Sequence, residues 1–156
     1  MFALIIFSPG YIFAIEEAGV SLPDQKIYPR SFYYPVKRLM EKAWEKFKFS
    51  DNAKYDYYKS LLPTRLAELT SVVKENQIDQ VQKSSERFAY QAGITSEQLK
   101  NLNDNQEKKK DLLNQFGSYT KVLEKLRDHY PANSSYWMLI QHSINSLKLY
   151  SEILNK

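Results

Sequence analysis

Residues 112–154 read LLNQFGSYTKVLEKLRDHYPANSSYWMLIQHSINSLKLYSEIL, and this stretch decides the fold class. Leu112, Phe116, Tyr119, Leu123, Leu126 and Tyr130 recur at intervals of three and four, the spacing that lines up side chains on one helix face. After Pro131-Ala132-Asn133 the spacing resumes with Trp137, Ile140, Ile144, Leu147 and Leu154, Ser151 filling the remaining slot. Asn133 or Ser134 is placed to cap the second of these helices. Two apolar stripes joined by so short a turn predict an antiparallel helical hairpin.

Upstream the same period continues. Asn76, with Asp79 in the first turn, is expected to open a helix that carries Ile78, Val81, Phe88 and Ala92 inward, with Gly93 closing it as a left-handed cap. Thr95 and Gln98 then write a capping box, with Ile94 and Leu99 as its hydrophobic staple, and Asp104 with Glu107 a second box. Ser50 or Asp51 caps an earlier helix with Tyr55, Tyr58, Leu62, Leu66, Leu69 and Val73 on its stripe. Pro63 sits inside that stripe and predicts a kink there. The first helix starts at Pro35, with Val36, Leu39, Met40, Ala43, Trp44 and Phe47 on one side. The expectation is an all-α bundle of four to five helices over residues 34–156, ending in the helical hairpin.

Composition agrees. The chain has 156 residues, 43% hydrophobic and 26% charged, with four Gly and six Pro, too few turn formers for a fold of many short strands. The formal charge is +4, and its one dense run, Lys108-Lys109-Lys110, lies between Glu107 and Asp111. Such a run reads as a solvated helix face. The chain has no cysteine, which excludes disulfides, thiolate nucleophiles and cysteine metal sites.

The sequence opens MFALIIFSPGYIFAIEE, uncharged until Glu16. The apolar run is too short and broken to span a bilayer. It matches the apolar and cleavage regions of a secretory signal peptide, with Ala14 before the cut and the basic front end missing. Residues 1–14 are therefore expected to be a truncated signal peptide-like segment. Residues 15–33, punctuated by Gly19, Pro23 and Pro29, are expected to be a linker.

The first helix poses a choice. Its apolar side can be core or can lie on a membrane, where a polar side of Lys37, Arg38, Lys42, Lys46 and Lys48 against Glu41 and Glu45, 5 − 2 = +3, would add attraction. Burying aromatic rings is worth a few kcal/mol each, roughly, and core is the expectation.

Chemistry-bearing motifs are few. His129 and His142 are the two histidines, and no carboxylates converge on both at ligand spacing. The sequence holds no Gly-x-Ser-x-Gly elbow and no Gly-rich phosphate loop. Glu16-Glu17 falls in the linker, where nothing fixes its geometry. No catalytic, metal or cofactor-binding residues and no cofactor are expected, and nucleic acid is not an expected partner because the aromatics from Tyr28 to Tyr58 are needed for core.

Leu22-Pro23-Asp24, Tyr28-Pro29, Tyr34-Pro35-Val36-Lys37-Arg38-Leu39-Met40-Glu41-Lys42, Phe49-Ser50-Asp51 and Arg65-Leu66-Ala67-Glu68 together resemble an uncharacterised bacterial family, domain of unknown function 5667, over about residues 22 to 100. Tyr28-Pro29 and Tyr34-Pro35 look like a doubling of its motif, Val36 replaces the customary Leu, and Pro63 interrupts a stretch the family keeps helical. The resemblance implies an exported helical protein and supplies no activity. It also implies a structural role for Arg65, expected to pair with a carboxylate of the first helix such as Glu41. Separately, Ile94-Thr95-Ser96-Glu97-Gln98 resembles the Leu-Thr-x-x-Gln motif of small periplasmic chaperones and stress sensors.

The resulting expectation is a non-enzymatic, extracytoplasmic interaction module of the cell envelope with a protein partner. A periplasmic chaperone or stress sensor is the first alternative and a membrane-surface protein the second. Phe32, Tyr33 and Tyr57 are candidate contact residues.

Overall fold

The computed structural model describes residues 20–24, 27–103 and 105–156. Within them the chain forms α1 (Tyr34–Lys46), α2 (Asp51–Lys74), α3 (Ile78–Lys100), α4 (Gln106–Arg127) and α5 (Ser135–Asn155). The expected opening segment, residues 1–14, lies outside the described residues.

α2 packs on α3, α3 on α5, and α4 on α5, with a lighter contact between α2 and α4. The sequence-distant bonds give the directions. Gln91 Nε2 donates to the Tyr58 carbonyl at 3.0 Å and Gln98 Nε2 to Asp51 Oδ1 at 3.1 Å, so α2 and α3 run antiparallel. Tyr55 Oη donates to the Lys108 carbonyl at 3.3 Å, and Lys59 pairs with Asp111 four residues further along α2, so α2 and α4 run parallel. Ser143 Oγ donates to the Ser85 carbonyl at 3.3 Å, while Tyr150 lies against Gly93, so α3 and α5 run parallel as well. The four long helices are thus two antiparallel hairpins side by side. The expected C-terminal hairpin is the second of them.

Its stripes form as the spacing requires. Leu112, Phe116, Tyr119, Leu123 and Leu126 of α4 meet Ile140, Ile144, Leu147 and Leu154 of α5 in one core with Leu62, Leu66, Leu69, Val81 and Phe88. Tyr130 packs at its edge. Ser134 caps α5, accepting from the Trp137 N–H at 3.3 Å, and Ser50 caps α2, accepting from the Ala53 N–H at 3.1 Å. α2 continues through Pro63 as one helix.

Two boundaries differ from expectation. Asn76 ends α2 instead of opening α3. It adopts φ 51°, its N–H bonds the Val73 carbonyl at 3.1 Å, and that of Gln77 bonds Val72 at 2.9 Å, the paired closure that a left-handed residue after a helix provides. α3 then starts without a side-chain cap, and Ile78 is exposed instead of inward.

Gly93, in turn, does not end α3, which runs unbroken to Lys100. The Thr95–Gln98 box is interior helix. The Thr95 hydroxyl donates to the Gln91 carbonyl at 2.7 Å and that of Ser96 to Ala92 at 2.9 Å, bonds back into their own helix. Both residues are buried. Gly93 is small because of packing: a Cβ there would lie 2.8 Å from Tyr150 Oη. Asp104, of the second expected box, lies outside the described residues; α4 starts after Asn105 without a side-chain cap.

Residues before the first helix also join the fold. Val20 and Leu22 pack against the core and Pro29 is buried, so the structured part reaches upstream of residue 34.

Candidate interaction surface

The largest departure concerns α1. Leu39 is 69% exposed, Trp44 58% and Phe47 65%, with Val36, Met40 and Ala43 exposed too. The expected core stripe faces outward. Phe32 before the helix and Phe49 after it extend the surface, each 90% exposed. In this 13-residue helix only Tyr34 is buried.

The reason lies in α2. From Arg65 to Thr70 six consecutive residues are buried, so α2 is enclosed on every side along that stretch and one of its buried faces carries charge. A charge removed from water must be paired, or it costs several kcal/mol, roughly. α1 supplies the partners with its polar side. Arg65 Nη1 donates to both Glu68 oxygens at 2.9 Å, and its Nη2 pairs with Glu41. Tyr34 Oη donates to Glu68 Oε2 at 2.8 Å, Lys37 Nζ reaches Glu68 Oε1 at 2.7 Å, and Arg38 holds Glu41 at 2.7 Å. The phenols of α2 complete the seam: Tyr57 donates to the Glu41 carbonyl and Tyr58 to Glu45 Oε1, each at 2.6 Å. The Arg65–Glu41 pair is the one implied by the resemblance. The helix that looked like core is therefore moored by its charges, and its apolar side remains open.

Burial shifts the groups in and near this seam. Desolvation holds the Glu41 carboxyl above the usual carboxylate range in spite of the Arg38 and Lys37 charges. Burial and the Glu68 carboxylate push Tyr34 well up, and burial with the bond to Glu45 does the same to Tyr58. Tyr55 and Tyr119 are each pushed up to about 12, mainly by burial. For all four phenols the unfolded chain loses its protons first. The stability they lend is whole below pH 10 and is lost as the pH rises through about 12 for Tyr55 and Tyr119, and higher still for Tyr34 and Tyr58. Alkaline titration of tyrosinate absorbance should show these four ionising late and together with loss of helicity. Full ionisation of all twelve tyrosines near the ordinary value, with helicity intact, would contradict this.

The other candidates fall elsewhere. Phe32 and Tyr33 lie on the open surface, whereas Tyr57 is bonded into the seam. His142 is exposed on α5, while His129 stands 3.4 Å from Asn76 Oδ1. Among the described residues, no group of three or more His, Asp and Glu side chains is placed to hold a metal. Lys108 is held by Asn52 and Asp56 at 3.0 Å and lies over the Tyr55 ring. A cavity of about 100 Å³ opens between Glu41, Glu45, Tyr58 and Tyr90, and a more open hollow of about 450 Å³ lies by Tyr90, Gly93 and Tyr150. Among the described residues, no helix is long and apolar enough to cross a membrane.

A family model for a domain of unknown function, DUF5667, matches residues 26–132, more than half of the chain. The chain belongs to this family. The match covers α1, the whole Arg65–Glu68–Glu41 seam, α2, α3 and α4, so the outward face of α1 lies within the DUF5667 region. It stops before α5, which nevertheless shares the core. No curated protein and no solved structure matches the chain.

Proposed function

We propose that this DUF5667 chain is an exported, non-enzymatic interaction module of the cell envelope that works through the outward face of α1. One observation carries the reading: the helix is fixed to the bundle by its charged side, so its apolar side stands exposed without unfolding anything. Contiguous exposed apolar surface of this kind marks interaction sites. Export is supported by the apolar, uncharged reading of residues 1–14. The chaperone alternative rests on the Ile94–Gln98 motif, whose Thr95 is buried within α3 and bonded to the Gln91 carbonyl.

The test is a photo-crosslinking amino acid placed at Leu39 or Trp44 of the full chain in its host. Adducts to an envelope component should form there and be absent when the probe replaces exposed Met138 on α5. Equal capture from both positions would remove α1 as the contact surface.

A further inference from the structure

The charges of α1 are sorted between its two sides. Glu41 is turned inward to Arg38 and Arg65, and Glu45 accepts from Tyr58. Both carboxylates of the helix are thus committed to the seam. Lys42 and Lys46 are exposed and, four residues apart, stand in one row beside the apolar face. What α1 presents to its surroundings is apolar and aromatic with a cationic margin, although its sequence alternates both signs. Trp44 and Phe47, in edge contact at 6.2 Å, sit on the apolar side, turned away from the lysine row.

We infer that the outward face of α1 binds the surface of a membrane containing anionic phospholipid, with the helix lying flat. The inference rests on the contact reading above and names its partner. Charge complementarity decides among occupants. A second copy of this face would bring lysines against lysines, and a neutral apolar groove would leave the two ammonium groups unanswered. An anionic lipid surface receives the rings at headgroup depth, and the flexible lysine stems let the charges reach phosphate while their methylenes cover the apolar side. The mooring by Arg65 and Glu68 holds the helix with this side outward beforehand, so binding requires no rearrangement of the bundle.

The experiment is co-sedimentation of the full chain with vesicles of equal parts phosphatidylglycerol and phosphatidylcholine, against phosphatidylcholine alone. Binding to the anionic vesicles should be at least about 10-fold tighter and should weaken with salt. Lys42→Gln with Lys46→Gln should remove most of that preference. Trp44→Ser with Phe47→Ser should weaken binding about 100-fold while leaving the circular dichroism and melting curve unchanged, because both residues are exposed. A blue shift of tryptophan emission on binding should vanish in Trp44→Phe. Equal binding to both vesicle types, or binding indifferent to Trp44 and Phe47, overturns the inference. So does self-association that Trp44→Ser abolishes, which would identify a second copy as the occupant. Protein adducts from position 44 without vesicle binding would end the lipid inference and leave the interaction module standing. No adducts and no vesicle binding would end both.

Discussion

Arg65→Ala should cost about 3–5 kcal/mol of folding stability, measured by denaturant unfolding. Arg65 is 1% exposed and bridges Glu41 and Glu68, and Glu68 is itself 1% exposed. Alanine leaves a carboxylate buried with only Lys37 and the Tyr34 phenol beside it, and removes the fork that spans two helices. Lysine should not rescue it, since one ammonium cannot donate to both acids as a planar guanidinium does. A double-mutant cycle with Glu41→Gln should show coupling of about 1–3 kcal/mol. A loss under about 1 kcal/mol for Arg65→Ala would mean that α1 is not held by this seam.

The other large effect concerns α5. Removing residues 133–156 should abolish cooperative folding, although the family match ends at residue 132. Ile140, Ile144, Leu147 and Leu154 are each at most 7% exposed and cover Phe88 on α3 and Leu123 on α4 within one core. At about 1.5–3 kcal/mol per buried side chain, their loss removes roughly 6–12 kcal/mol. A domain of this size has about 5–15 in total. Circular dichroism and amide hydrogen exchange on the shortened chain would decide it. A sharp thermal transition in residues 1–132 would show instead that α5 is an ornament on a self-sufficient three-helix core.

Much of the bundle was legible because α4 and α5 each bury one stripe, and a stripe is what a 3.6-residue period records. α3 misled at Gly93 and Thr95. A glycine followed by a capping box usually marks a helix end, but here the residue is small to admit Tyr150 and the hydroxyls bond back along the helix. Sequence gives no sign of a neighbour's ring. The outward turn of α1 is hidden from the sequence for a related reason. Its stripe is a sound amphipathic pattern, and pattern tells which residues share a face, not which face turns inward. That choice was made by Arg65 and Glu68, two charges three residues apart in the apolar run SLLPTRLAELTSVV. Their position among so many aliphatics was the readable clue that α2 would meet its neighbour through charge. Tyr34 and Lys37 as partners of Glu68 could not be foreseen, since they depend on where the helix docks.

That docking has a consequence for how such a chain can change over time. In most small domains a residue used for recognition also touches the core, and altering one disturbs the other. Here α1 keeps the two on opposite flanks: Tyr34, Lys37 and Glu41 are answerable to the bundle, while Leu39, Trp44 and Phe47 are answerable only to what lies outside. The outer set can vary with the scaffold indifferent to it, which, on the function proposed above, makes α1 a replaceable contact strip on a fixed mount.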